Sequence, residues 1–345
     1  MMRNIGGFVN RYGLIVLFVA VVGVFAAFQP AFRTTVNAFI ILQSVVATAL
    51  VALGLTVSLT VNGFDMAVGS TVSFTVMVAA ATQIFLAWPW WLSLVAALLG
   101  GVLIGLFSGL LIVLAKVPDM IATLGTMFVF SGLSLILTAG KSVSNGNGYN
   151  GTPAKGEFAR EFLWIGRGKI SGVPFSVIVL VAATVLVVVF LGRTRTGRIM
   201  QSIGGNEEAA RLAGANTKVY RVLAYMISGF LASLGGVILV ARVGRGDVNV
   251  GSSYLLEAVA AALVGYTLLG ANRANALGSV VGALFIGVVV NGLTMFNVPY
   301  YTQDFIKGAL LVLALIVSFS TRSHASRARA TSDEEQSGRR KAIVA

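Results

Sequence analysis

The sequence predicts an all-α polytopic membrane protein of about ten transmembrane helices, and three observations carry that prediction. Hydrophobic residues make up 57% of the 345-residue chain and charged residues only 11%, against about a quarter charged in a soluble domain. Apolar runs long enough to cross a bilayer recur along most of the length, as a chain with many spans requires. Basic residues gather at the ends and connectors of those runs, where the positive-inside rule puts them. The net charge of +13 therefore reads as membrane topology, and no nucleic-acid partner is expected. There is no cysteine, and the single histidine, His324, lies in the polar tail. That excludes disulfides and thiolate or imidazole metal centres, and no cofactor is expected.

In chain order, spans are expected near 13–31, 37–60, 66–87, 91–115, 120–139, 174–192, 219–241, 254–270, 275–296 and 301–320. The N-terminal stretch has the basic start and apolar core of a signal peptide. It lacks a clear A-x-A site and runs directly into further spans, so it reads as an uncleaved first helix. Only "NGFD" separates the second and third spans and only "ANRAN" the eighth and ninth, so a broken or re-entrant helix is an alternative for either pair. The loop 140–173, rich in Gly, Asn and charge with Phe158, Phe162, Leu163 and Trp164 embedded in it, reads as external with a short interfacial helix. Residues 1–320 form the membrane domain, and 321–345 read as a disordered, solvated cytoplasmic tail. "VPDMIATLG" opens the fifth span and "VPYYTQDFIKG" the tenth, a faint echo of the inverted five-helix repeats of transporters.

With the N-terminus inside, sixteen of the 25 basic residues fall on the inner side. Five of the other nine lie in the loop 140–173, and long loops translocate regardless of charge. Both termini are thus expected in the cytoplasm.

Small residues recur at four-residue spacing: Gly101, Gly105 and Gly109; Ser228, Ala232 and Gly236; Gly278 and Gly282. They suit close helix packing within one bundle better than a subunit or gate interface. The passage "LTVSLTVNGFDMAVGSTVSFT" carries Thr56, Ser58, Thr60, Asn62, Asp65, Ser70, Thr71, Ser73 and Thr75. It reads equally as a pore or gate lining and as a capped hairpin, with Asn62-Gly63 at the turn and Asp65 capping the next helix. Glu257, Asp304 and Lys307 lie close to helix starts and are expected to snorkel outward. No acidic residue is clearly placed at mid-membrane, which argues against a proton- or sodium-coupled carrier. Gly140-Lys141-Ser142 imitates a P-loop, but Leu135 stands where its first glycine belongs and no strand precedes it.

The most informative stretch is "SIGGNEEAARLAGANTK", polar and helix-forming between two long apolar segments. Asn206 suits the N-cap, Glu207 and Glu208 suit the first turn, and Gly214 suits the residue just past the end. So short a helix is unstable alone in water, and Ala209, Ala210, Leu212 and Ala213 offer little apolar surface. It reads as a linker on the headgroups or, preferably, as a surface that another protein grips.

At these residues the chain resembles the membrane permease subunits of ribose-type ATP-binding-cassette sugar importers. The likeness runs from about residue 35 to 320 through "NGFDMAVGS", "VPDMIATLGTMFVFSGLSLILTAG", "GRTRTGRIMQSIGGNEEAARLAGANT" and "YLLEAVAAALVGYTLLGANRANALGSVVGALFIGVVVNGL". The resemblance implies a cytoplasmic coupling helix near 204–214 that docks an ATPase, through Gly204, Gly205, Asn206, Glu207, Glu208, Ala209, Ala210, Arg211, Leu212 and Gly214. Gly63, Asp65, Val68 and Gly69 match the family's Gly-x-Asp-x-x-Val-Gly turn, while Asn62, Phe64 and Ala67 replace its common Gly, Ile and Ser. "GANRANALG" departs from the family's glycine-richer turn. Asn62, Gly63, Phe64, Asp65, Gly69, Thr123 and Asn291 are the candidates for the translocation path or gate. The implied partners are a cytoplasmic ATP-binding-cassette ATPase, a periplasmic or lipid-anchored sugar-binding protein, a second permease subunit and the bilayer of a bacterial inner membrane. The chain itself is expected to catalyse nothing. An ion-coupled secondary transporter and an integral-membrane enzyme are the rival classes.

Overall fold

The computed structural model describes residues 16, 18–146, 148, 153–268, 274–299, 301–303, 305, 306, 308, 309 and 312. Helix α1, Phe18–Phe28, leads through a 3-10 turn, Pro30–Arg33, into α2, Thr35–Leu59. Thr34 caps α2 by accepting the Asn37 amide at 3.2 Å. There follow α3 (Val68–Ile84), α4 (Trp90–Leu114) and α5 (Asp119–Leu137), then strand β1 (Val143–Ser144) and helix α6 (Arg160–Arg167). Strands β2 (Lys169–Ile170) and β3 (Val173–Pro174) lead to α7 (Phe175–Arg193), α8 (Arg195–Gly205) and α9 (Glu207–Leu212). Last come α10 (Thr217–Val243), β4 (Arg245–Gly246), α11 (Val250–Leu268) and α12 (Ala276–Met295). The strands form two antiparallel clips, β1 with β4 and β2 with β3.

Among the described residues six helices, α2, α4, α5, α7, α10 and α12, are long and apolar enough to cross a membrane, and α1, α3 and α11 are shorter apolar helices. Nine of the ten expected spans thus correspond to an apolar helix. The tenth, 301–320, lies mostly outside the described residues, as do Asp304, Lys307 and the tail.

Helix α2 is buried without a break from Val45 to Ser58, so it forms the axis of the bundle, as a helix apolar all round must. Helix α10 packs along it and against α4. Glycines set the spacing. A methyl on Gly54 would lie 2.7 Å from the Ser228 carbonyl oxygen, and one on Gly109 would lie 2.9 Å from the Val222 Cα. Methyls on Gly101 and Gly105 would overlap α10 at Gly229 and Tyr225, and Gly278 and Gly282 meet Gly265 and Ala261 in the same way. The small-residue stripes are therefore packing seams inside one bundle. Helices α4, α5 and α7 are peripheral and keep Leu103, Phe128, Ile136 and Leu186 exposed, the surface that hydrocarbon tails accept.

The loop after α5 is anchored rather than draped. Phe158 and Phe162 stack with centroids 6.0 Å apart, and the Arg167 side chain donates to the Arg242 and Val243 carbonyls at 2.8 and 2.9 Å. Gly140 follows the end of α5 with φ +71°, so Gly140-Lys141-Ser142 terminates a helix and is no phosphate loop.

Candidate functional site

Helices α8 and α9 lie at the end of the bundle where α2 gives way to α3. Thr194 caps α8 by accepting the Gly197 amide at 3.0 Å, and Gln201 donates to the Leu191 carbonyl at 3.0 Å, tying α8 back to α7. Gly204 then abuts the Thr60 carbonyl so closely that a side chain would not fit. Gly205 has open space around it.

Every local signal for α9 is realised. The Asn206 side chain accepts the Ala209 amide at 3.0 Å, and Glu207 and Glu208 occupy the first turn, where they offset the helix dipole. The Gly214 amide donates to the Arg211 carbonyl at 2.9 Å and the Ala215 amide to the Ala210 carbonyl at 3.0 Å. This is a Schellman closure, with Gly214 at φ +86°. Glu208 and Arg211 pair across one turn at 2.7 Å with both side chains well exposed, a contact of a few tenths of a kcal/mol, about 0.3–0.5.

What the helix lacks is a seat. Ala210 is its one buried residue, at 7% exposure, whereas Leu212 is 79% exposed. The helix is thus fully capped and scarcely packed.

Beside it lies the turn between α2 and α3. The Asn62 and Gly63 amides close α2 on the Leu59 and Ser58 carbonyls at 3.1 and 3.0 Å, with Asn62 at φ 57°, a conformation asparagine tolerates. Asp65 does not cap α3, as the sequence suggests. One carboxylate oxygen accepts the Ala67 amide at 3.0 Å and the other accepts the Ser228 hydroxyl at 2.7 Å. The carboxylate is thus drawn across to α10, and at 2% exposure it is buried. Thr123 donates to the Phe64 carbonyl at 3.2 Å and to the Asp119 carbonyl at 2.8 Å.

The structure therefore gathers Asn62, Gly63, Phe64, Asp65 and Thr123 around one turn, next to Gly204. Gly69 is separate from them, packed against Gly251 and Leu255 of α11. Asn291 is farther still. It exchanges side-chain hydrogen bonds of 3.1 Å with Asn37, which lies ~33 Å along α2 from Leu59 at 1.5 Å per residue.

Two features escape the sequence reading. Glu257 does not snorkel outward: its carboxylate accepts the hydroxyl of Thr48 at 3.0 Å, and Thr48 is 4% exposed midway along α2. The group is therefore turned toward α2, inside the bundle. The second is the row Arg221, Tyr225 and Ser228 on α10, whose spacing of four and then three residues puts all three on one helix face. That spacing is visible in the sequence, but their partners, Asp119 and Asp65, are distant in the chain.

Comparison with known proteins fits this architecture. A family described as branched-chain amino acid transport system / permease component matches residues 37–315. The ribose import permease protein RbsC of Escherichia coli K12 is 33% identical over 308 residues, 89% of this chain and 93% of its own. The Bacillus subtilis ribose import permease protein RbsC is 32% identical, covering 92% of each chain. The Escherichia coli K12 xylose transport system permease protein XylH is 28% identical, over 85% of this chain and 87% of its own. No solved structure matches. As a permease subunit the chain is not itself an enzyme, ATP hydrolysis belonging to a separate subunit, and its class implies ATPase and substrate-binding partners. Its apolar helices and permease relatives make it a multi-pass protein of the inner membrane. The chain belongs to this permease family and is the membrane-spanning permease subunit of a ribose-type ATP-binding-cassette importer.

Proposed function

We propose that the chain forms the translocation pathway for a sugar or similar small polar solute, and that α9 with its flanks, residues 204–214, is the coupling helix on which a cytoplasmic ATPase docks. The names of the ribose and xylose permeases support sugar as the cargo class. One observation carries the docking reading: α9 is capped at both ends yet buries only Ala210 and adds a loose 3.6 Å pairing of Glu207 with Arg221, while Leu212 and the Glu208–Arg211 pair are exposed. A helix this short persists in water only with outside support, and a partner's groove closing on Leu212 supplies it. Two permease subunits form the pathway, an external binding protein delivers the solute, and both termini face the cytoplasm. The turn at 62–65 and Thr123, next to α9, form the inner gate. Glu257 and Asn291 lie on the route farther along, and Gly69 seats α3 against α11 beside it.

The test is co-purification of the cognate ATPase with chains carrying Glu207→Lys and Glu208→Lys together, or Gly214→Val. Each is expected to insert and express as the native chain does while losing ATPase and uptake. Undiminished ATPase recovery with every variant would overturn the assignment.

A further inference from the structure

We propose that Arg221 and Tyr225 of α10 are positioning residues that carry the displacement of α9 into the α2–α3 turn, and so set how much solute moves per ATP. This rests on the docking role of α9.

The geometry is a chain of polar contacts between those two elements. One terminal nitrogen of Arg221 stands 3.6 Å from a Glu207 carboxylate oxygen on α9 and 4.0 Å from an Asp119 carboxylate oxygen on α5. Tyr225 donates its hydroxyl to that same Asp119 oxygen at 2.9 Å. Gly63 lies under this pair, since a methyl on it would be 2.5 Å from the Tyr225 hydroxyl and 2.9 Å from the Asp119 oxygen. Ser228, one turn further, holds Asp65 of the same turn at 2.7 Å. A single face of α10 thus bridges the docking helix and the whole of the turn.

The Arg221 link is slack, which suits it to transmit rather than merely to brace. Neither of its two carboxylate distances is that of a closed charge-assisted hydrogen bond, about 2.7–2.9 Å. Its Nε is buried and has no hydrogen-bond partner among the described residues. Only 23% of the side chain is exposed, so screening by water is weak and a change in partner distance is felt. Beside it a groove of about 590 Å³, lined by Lys116, Pro118, Asp119, Glu207 and Arg221 among others, leaves room for α9 to move. When a bound ATPase shifts α9, the guanidinium closes on Glu207 or on Asp119. Asp119 in turn holds Tyr225 against Gly63. Two discrete closures of one cation give the two-state element that coupling between sites requires. At the far end the Asp65–Ser228 bond keeps the turn from moving independently.

The experiment uses the complete importer, reconstituted in vesicles with its ATPase and binding protein, and reads solute transported per ATP hydrolysed. Arg221→Met and the volume-preserving Tyr225→Phe are each expected to keep ATPase co-purification within about twofold of native while transport per ATP falls about fivefold or more, a coupling energy of about 1 kcal/mol. Arg221→Lys, which keeps a point charge, is expected to recover part of the ratio. The proposal is overturned if both variants transport with the native ratio. It is equally overturned if the ratio falls only in step with lost ATPase or lost folded protein, because the residues would then merely hold the bundle together. Undiminished ATPase recovery with the Glu207→Lys/Glu208→Lys and Gly214→Val chains would instead sink the docking role of α9 itself.

Discussion

Two of the short helices that lie between spans among the described residues, α6 and α9, are held in opposite ways. Helix α6 is sewn in. Phe162 is 0% exposed, Gly166 lies so tightly against the backbone of Ala241 and Arg242 that no side chain fits, and Arg167 donates to two carbonyls at the end of α10. Helix α9 has better caps than α6, whose ends carry no side-chain cap, but it buries only Ala210 and otherwise meets the body through the loose Glu207–Arg221 pairing. A short helix can be stabilised by its neighbours or by its own ends. Where the chain supplies its own neighbours the surface is finished, and where it supplies only the ends it is left for another protein.

That contrast can be broken or sharpened by substitution, and the largest effect belongs to α6. Phe162→Ala is expected to cost about 3–5 kcal/mol of stability, the toll of emptying a filled aromatic site, seen as a large drop in thermal unfolding temperature in detergent. Arg167→Met removes two hydrogen bonds from a charged donor and is expected to cost about 1.5 kcal/mol by the same measurement. On α9 the expectation reverses. Leu212→Asp leaves the unfolding temperature unchanged but weakens ATPase association at least about tenfold, ~1.4 kcal/mol, measurable by titrating the purified ATPase. The smallest effect is that of Asn206→Ala, about 1 kcal/mol, confined to faster amide exchange across residues 207–212. A global destabilisation from Asn206→Ala would mean that α9 is packed into the bundle after all.

The sequence discloses these regions unequally, for a physical reason. Caps are local, so Asn206, the two glutamates and Gly214 could be read directly, and the structure places each where its chemistry requires. Span existence is equally local, being a matter of hydropathy, and the seams at Gly101, Gly105 and Gly109 follow from residue size. What tertiary packing decides was not legible. Asp65 keeps one local bond, to the Ala67 amide, but its other partner, Ser228, is 163 residues away. Glu257 has the position of a snorkelling charge, yet Thr48, 209 residues away, turns it inward. Asp119 stands in the first turn of α5, and nothing local to it announces Tyr225, 106 residues away, or Arg221, which converge on it. The resemblance drew together Asn62, Gly63, Phe64, Asp65 and Thr123, which do meet, but also Asn291, which pairs with Asn37 near the other end of α2.

The absence of native cysteine makes the decisive measurement direct. Single Leu212→Cys and Trp164→Cys chains, each in membranes with and without the cognate ATPase, can be reacted with a maleimide that enters both aqueous sides. Both positions are exposed in the chain alone, so both are expected to label. Adding the ATPase is expected to protect the α9 position and leave the α6 position fully reactive. Equal labelling of the α9 position with and without bound ATPase would contradict the assignment of that helix as the docking surface.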